Sequence, residues 1–107
     1  MEPVRTFVLG SFVLVTLASP REKFWGALLD ISAAGVSLRG VDLNSFEEVA
    51  HQLRSGDITS AATIFFPMHR VERVELDTAS GELPSLAERF RALSGQDAGT
   101  FLGVAAG

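Results

Sequence analysis

The residues best suited to chemistry lie in one short run, residues 63–76, Thr-Ile-Phe-Phe-Pro-Met-His-Arg-Val-Glu-Arg-Val-Glu-Leu. His69 is the natural acid–base candidate, because an imidazole titrates near neutrality. Glu72, Glu75 and Asp77 stand close enough in sequence to orient it. Arg70 and Arg73 offer planar guanidinium forks of the kind that grip a phosphate or a carboxylate. The same side chains also have a plainer use. A histidine at a strand corner commonly hydrogen-bonds a backbone carbonyl, and the interleaved Glu72 and Glu75 suit cross-strand ion pairs with the arginines. No glycine-flanked nucleophile accompanies His69. The chain is therefore expected to be non-enzymatic, with His69, Arg70 and Arg73 forming an anion-binding corner; an enzyme built on His69 is a further alternative.

Composition narrows the rest. There is no cysteine, which excludes disulfides, thiolate metal sites and thiol catalysis. With only two histidines, a structural zinc site is not expected, and neither is any other metal or cofactor. A formal net charge of −4 argues against a broad phosphate-binding surface while leaving room for a local basic patch. Eight of the nine basic residues are arginine, which reads as a composition bias before it reads as a functional sign.

These side chains need a scaffold, and at 107 residues the chain is expected to make one domain. Residues 7–17 are apolar in both alternating sets, the pattern of a strand covered on both faces, by a helix or by another subunit. The run resembles the apolar part of a signal peptide, but it is too short to span a bilayer. The flank before it also sets Glu2 beside Arg5, a poor positive lead. A buried strand and a cytoplasmic location, with no membrane partner, are expected. Gly10 should mark a bend. Further strands are expected over residues 24–31 and 36–43, joined by a turn in which Gly35 takes a positive φ. On the first of these, Trp25 alternates inward and Phe24 outward. Ser45 and Glu48 have the spacing of a capping box opening a helix that stops at Gly56, and Ser85 with Glu88 repeat it for a second helix ending at Gly95. Between them, Ile64 to Phe66 form a strand stopped by Pro67, and residues 71–76 alternate as a half-exposed strand in which Glu72 shares a face with Val74 and Leu76. Residues 96–107, rich in Gly and Ala, should form a loosely held tail, although Phe101 and Leu102 are apolar enough to dock. The expected fold is mainly β: a small five-stranded antiparallel barrel over residues 1–95, with one helix inserted between strands 3 and 4 and one at the C-terminal end.

Two partial resemblances add to this reading. Gly26, Leu28 and Leu38, in a Gly-x-hydrophobic strand, turn and apolar strand, resemble the first motif of Sm-like proteins, whose last two strands match the strand–proline corner–strand at residues 65–74. The resemblance spans residues 7–76. It implies a strongly bent five-stranded barrel, homo-oligomerisation through edge strands, and RNA or another anionic ligand. The first-turn Asp-x-x-x-Asn pair and the second-motif Arg-Gly are replaced here by Ala33-Ala34-Gly35 and Pro67-Met68-His69, so it speaks more for fold and assembly than for RNA. Separately, Asp30, Ser32 and Gly35 fit the Asp-x-Ser-x-x-Gly half of the PilZ motif. That resemblance implies a cyclic di-GMP sensor in which these three residues contact a guanine. The paired arginines of its other half are missing; only Arg5 stands before the first strand.

Overall fold

The computed structural model describes residues 7–104, and the flank that holds Glu2 and Arg5 lies outside them. In chain order the strands are β1 (Phe12–Leu17), β2 (Glu22–Ile31), β3 (Gly35–Asp42), β4 (Ala62–Pro67) and β5 (Val71–Leu76). The helices are α1 (Phe46–Arg54), between β3 and β4, then α2 (Leu86–Ser94) and α3 (Ala98–Leu102) after β5. Single 3-10 turns occupy Leu43–Ser45 and Met68–Arg70. No helix among the described residues is long and apolar enough to cross a membrane.

All five strands join one antiparallel sheet in the order β4-β3-β2-β1-β5. The strands β4 and β5, neighbours in the chain, therefore stand at opposite edges. In a flat sheet those edges would be about 19 Å apart, whereas the four peptide steps from Pro67 to Val71 reach at most about 14 Å. The sheet has to curl until its outer strands meet at the Pro67 corner. It stops short of closure, since no ladder joins β4 to β5 among the described residues.

Curling gives the sheet two cores. Val13, Val15, Leu17, Leu28, Val36, Leu38 and Phe66 fill the inside of the curl, with Phe24 and Val74 against them. On the outer face Trp25, Ala27 and Val41 meet Phe46, Ala50 and Leu53 of α1, Phe90 of α2, and Phe101 and Leu102 of α3. Trp25 is the hub, with its ring 5.2 Å from Phe46 and 5.3 Å from Phe90. Gly26 faces Gly40 across β2 and β3. A Cβ on Gly26 would stand 2.3 Å from the Arg39 carbonyl oxygen, so the two backbones approach as only glycines allow.

Several expectations change. The first strand starts at Phe12, because Gly10 (φ 92°) turns the chain and donates its N–H to the Leu28 carbonyl. The strand is covered on both faces within this one chain: the helices supply the second cover, so no other subunit is needed for it. Phe24 points into the curl against Phe66 (4.9 Å between rings) and not outward. Ser45 makes no capping bond; α1 is entered through a 3-10 turn whose cap is Asp42, accepting from the Asn44 N–H at 2.8 Å. The capping box at Ser85 and Glu88 is formed in full, and Gly95 (φ 77°) ends α2. Within the stretch expected as a loose tail, Ala98–Leu102 form α3, capped by Asp97, with Phe101 and Leu102 buried and Phe101 stacked on Phe90 at 4.9 Å; residues 105–107 lie outside the described residues.

Candidate functional site

Three turns converge at the Pro67 corner. The Met68 N–H donates to the Ala34 carbonyl at 2.9 Å, fastening the corner to the β2–β3 hairpin. The Ala18 N–H donates to the Arg70 carbonyl at 2.9 Å, fastening it to the end of β1. The 3-10 turn between them exists because Pro67 ends β4 with φ −57° and offers no N–H of its own.

The three residues expected to form an anion site have different surroundings. His69 is exposed and makes no side-chain hydrogen bond among the described residues. Arg70 turns toward the β1–β2 turn. Its Nη2 donates to Glu22 Oε1 at 2.8 Å and to the Pro20 carbonyl at 3.4 Å, and its Nη1 to the Ser19 carbonyl at 3.3 Å. The Arg70 Nε–H is buried and has no acceptor among the described residues. Arg73 pairs with Glu75 on its own strand, Nε to Oε1 at 3.1 Å. It is opposite Thr16 in register, hence on the sheet's outer face with Leu14 and Thr16. The two guanidiniums are thus not gathered around the imidazole, and each already has a carboxylate. A bulge in the β1–β5 ladder makes Glu72 the extra residue, so Val71 joins Val74 and Leu76 inside while Glu72 is exposed.

Asp77 is engaged elsewhere as well. It accepts from Trp25 Nε1 at 3.1 Å and from the Leu86 and Ala87 N–H groups at 2.7 and 2.8 Å. It therefore satisfies two of the free donors at the start of α2 while holding the central indole. Nothing local in the sequence signals this, since its partners are 52 and nine or ten residues away. Glu22, the partner of Arg70, was equally unreadable at a separation of 48 residues.

The Asp30, Ser32 and Gly35 set forms the β2–β3 hairpin. Ser32 Oγ accepts from the Ala34 N–H at 3.2 Å, and the Ser32 N–H donates to the Gly35 carbonyl at 3.0 Å. Asp30 is exposed. Gly35 does not take the positive φ expected of it. It is glycine because β4 lies on top of it: a Cβ there would be 2.2 Å from the Phe66 carbonyl oxygen and 2.6 Å from the Phe65 ring.

Beside Arg70 a cavity of about 300 Å³ opens at the mouth of the inner core, lined by Leu17, Glu22, Phe24, Phe66, Pro67 and Arg70. Among the described residues no group of three His, Asp or Glu side chains is placed to hold a metal. The chain matches no known family model, no curated protein and no solved structure.

Proposed function

We propose that this chain is a non-enzymatic assembly module, a small barrel of the Sm-like kind that pairs with copies of itself through β4 and β5 and presents its Pro67 corner to an RNA or small anionic ligand. The observation that carries the reading is the pair of open edges on a sheet already curled toward closure. Antiparallel bonding alternates along a strand. The bond from Met68 to Ala34 sets Ala62, Ile64 and Phe66 toward β3 and leaves Thr63 and Phe65 facing outward. The bond from Asp77 to Phe12 likewise sets the backbone N–H and C=O groups of Arg73 and Glu75 toward β1 and leaves those of Val74 and Leu76 at the free edge, although their side chains point into the curl. Each edge thus offers unpaired N–H and C=O groups, and Phe65, 54% exposed, stands on one of them. Open edges invite pairing with another chain unless they are guarded, and on β4 the only proline guard is Pro67 at its end. The exposed His69 is what remains to attract an anion, since Arg70 and Arg73 are paired internally.

Thr63→Pro tests the assembly. It removes an outward N–H and leaves the backbone bonds to β3 in place, at the loss of the exposed bond of 3.1 Å that Arg39 Nη1 donates to Thr63 Oγ1. Sedimentation velocity should give the parent a mass well above the 11.4 kDa protomer, and the variant a protomer with unchanged circular dichroism. A parent that sediments as a monomer at micromolar concentration sinks the reading.

A further inference from the structure

We infer that the groove under the loop of residues 77–85 is a binding site for a small aliphatic ammonium ion, a molecule with an apolar chain and one positive end. The loop runs from the end of β5 to the start of α2. Two backbone bonds of 2.9 Å between Ser80 and Leu83 brace it, with Gly81 (φ 59°) in the turn they enclose. A cavity of about 410 Å³ lies against it, within the range for small-molecule sites. Leu14, Leu43, Leu83 and Leu86 line the cavity. None of the four is closed to a guest: Leu83 is 71% exposed and the others are half-buried. The braced loop holds Leu83 in water, so a guest finds apolar surface to cover without any rearrangement of the chain.

Charge selects the head group. Glu75 and Asp77 line this cavity, and among the described residues no lysine, arginine or histidine does. Glu75 stands directly across from Leu14 in the β1–β5 ladder, on the same outer face. Its pair with Arg73 is half exposed on both sides, and an exposed pair of that kind holds loosely, so an incoming cation can share the carboxylate. Asp77 accepts only from neutral N–H groups, those of the Trp25 indole, Leu86 and Ala87. Its negative charge is therefore not cancelled. Thr78 and Ser80 also line the cavity and are exposed. Their hydroxyl oxygens suit the remaining donors of an ammonium, which carries three. An anion with the same chain would stand against both carboxylates, and an uncharged molecule would gain only the leucines. No aromatic ring lines the cavity among the described residues, which favours an aliphatic chain. The site is complete within one chain and does not rest on the assembly reading.

The test is a titration of the whole chain with hexylammonium, and separately with hexanoate and hexanol, followed by NMR of the N–H groups. The three probes share one chain and differ in the charge of the head group. Trp25 is the only tryptophan, and its indole N–H donates to Asp77 at 3.1 Å, so one resolved signal reports on that carboxylate. Hexylammonium should move it saturably, together with the amides of Thr78 and Leu83. Hexanoate should bind at least about tenfold more weakly, and hexanol about threefold or more. Glu75→Gln keeps the size of the side chain and removes its charge. It should weaken hexylammonium binding by about threefold and leave the fold in place, since the only ion pair it loses is the exposed one with Arg73. Four results overturn the proposal: no saturable shift with hexylammonium, shifts that leave the indole N–H unmoved, hexanoate or hexanol binding as tightly as hexylammonium, or unchanged binding in Glu75→Gln. Should Glu75→Gln fail to fold, the three titrations of the parent decide alone.

Discussion

Thr16 shows how a single side chain can work against its own fold. It is fully buried on the outer face of β1, between Lys23 and Arg73 in register, and its hydroxyl has no partner among the described residues. A buried hydroxyl without a partner costs more than the apolar group of the same shape. Thr16→Val keeps the branched shape that suits a strand and removes the oxygen. It should stabilise the protein by about 1 kcal/mol, seen as a higher urea midpoint at unchanged slope. A lower midpoint would mean that the hydroxyl has a partner, such as a buried water. Much at this scale was legible in the sequence. That Trp25 and Ala27 share a buried face opposite Phe24 was plain, because strand parity is local; which face lies inside the curl was not, and Trp25 packs on the outer face under the helices. The partners of Arg70 and Asp77 were not legible, because they depend on which distant turns the curl brings together.

At the scale of elements, the two helix starts divide what sequence can and cannot say. Ser45 and Ser85 carry the same capping-box spacing, and only Ser85 uses it. At α2 the chain arrives extended, so the hydroxyl reaches the Glu88 N–H at 3.1 Å. At α1 the chain leaves β3 directly into a 3-10 turn. Ser45 is already in helical conformation, and Asp42 caps in its place. The pattern fixes which side chains are available, but the geometry of entry decides which one caps. Ser45→Ala should therefore be nearly neutral, while Asp42→Ala and Ser85→Ala should each cost about 1 kcal/mol in chemical denaturation. The short α3 escaped notice for a related reason: five residues do not hold a helix by propensity, and this one is held by burying Phe101 and Leu102. The box at α2 also carries a charge. The Ser85 backbone N–H, and then its hydroxyl, hold the Glu88 carboxyl below its usual range. A lowered folded pKa means stability that is present above the unfolded pKa and lost as pH falls through the folded one. Glu88→Gln keeps the box geometry without the charge. Its melting temperature should lie below that of the parent at neutral pH and converge with it in acid; a gap that stays constant with pH would show that the charge contributes nothing.

For the whole molecule, the question is whether two cores make two folding units. The inner core and the helix-covered core share β1 and β2: Val13, Val15 and Leu17 face one way and Phe12 and Leu14 the other, while Phe24 and Leu28 alternate with Trp25 and Ala27. Peeling away the helices would expose the outer half of the two central strands, and melting the curl would remove the surface on which the helices sit. Asp77 adds a direct tie, since one carboxylate at the end of β5 holds both the Trp25 indole and the start of α2. A single cooperative transition is therefore expected. Trp25 is the only tryptophan, so its fluorescence reports the helix-covered core while far-ultraviolet circular dichroism reports the whole. The two signals should change at the same urea concentration. Asp77→Ala should lower both midpoints together, by about 2–3 kcal/mol, because it strands an indole N–H and two helix amides at once. If the tryptophan signal changes first, the helix layer detaches on its own and the shared strands do not couple the cores. If Asp77→Ala separates two signals that coincide in the parent, the coupling runs through that one carboxylate and not through the strands.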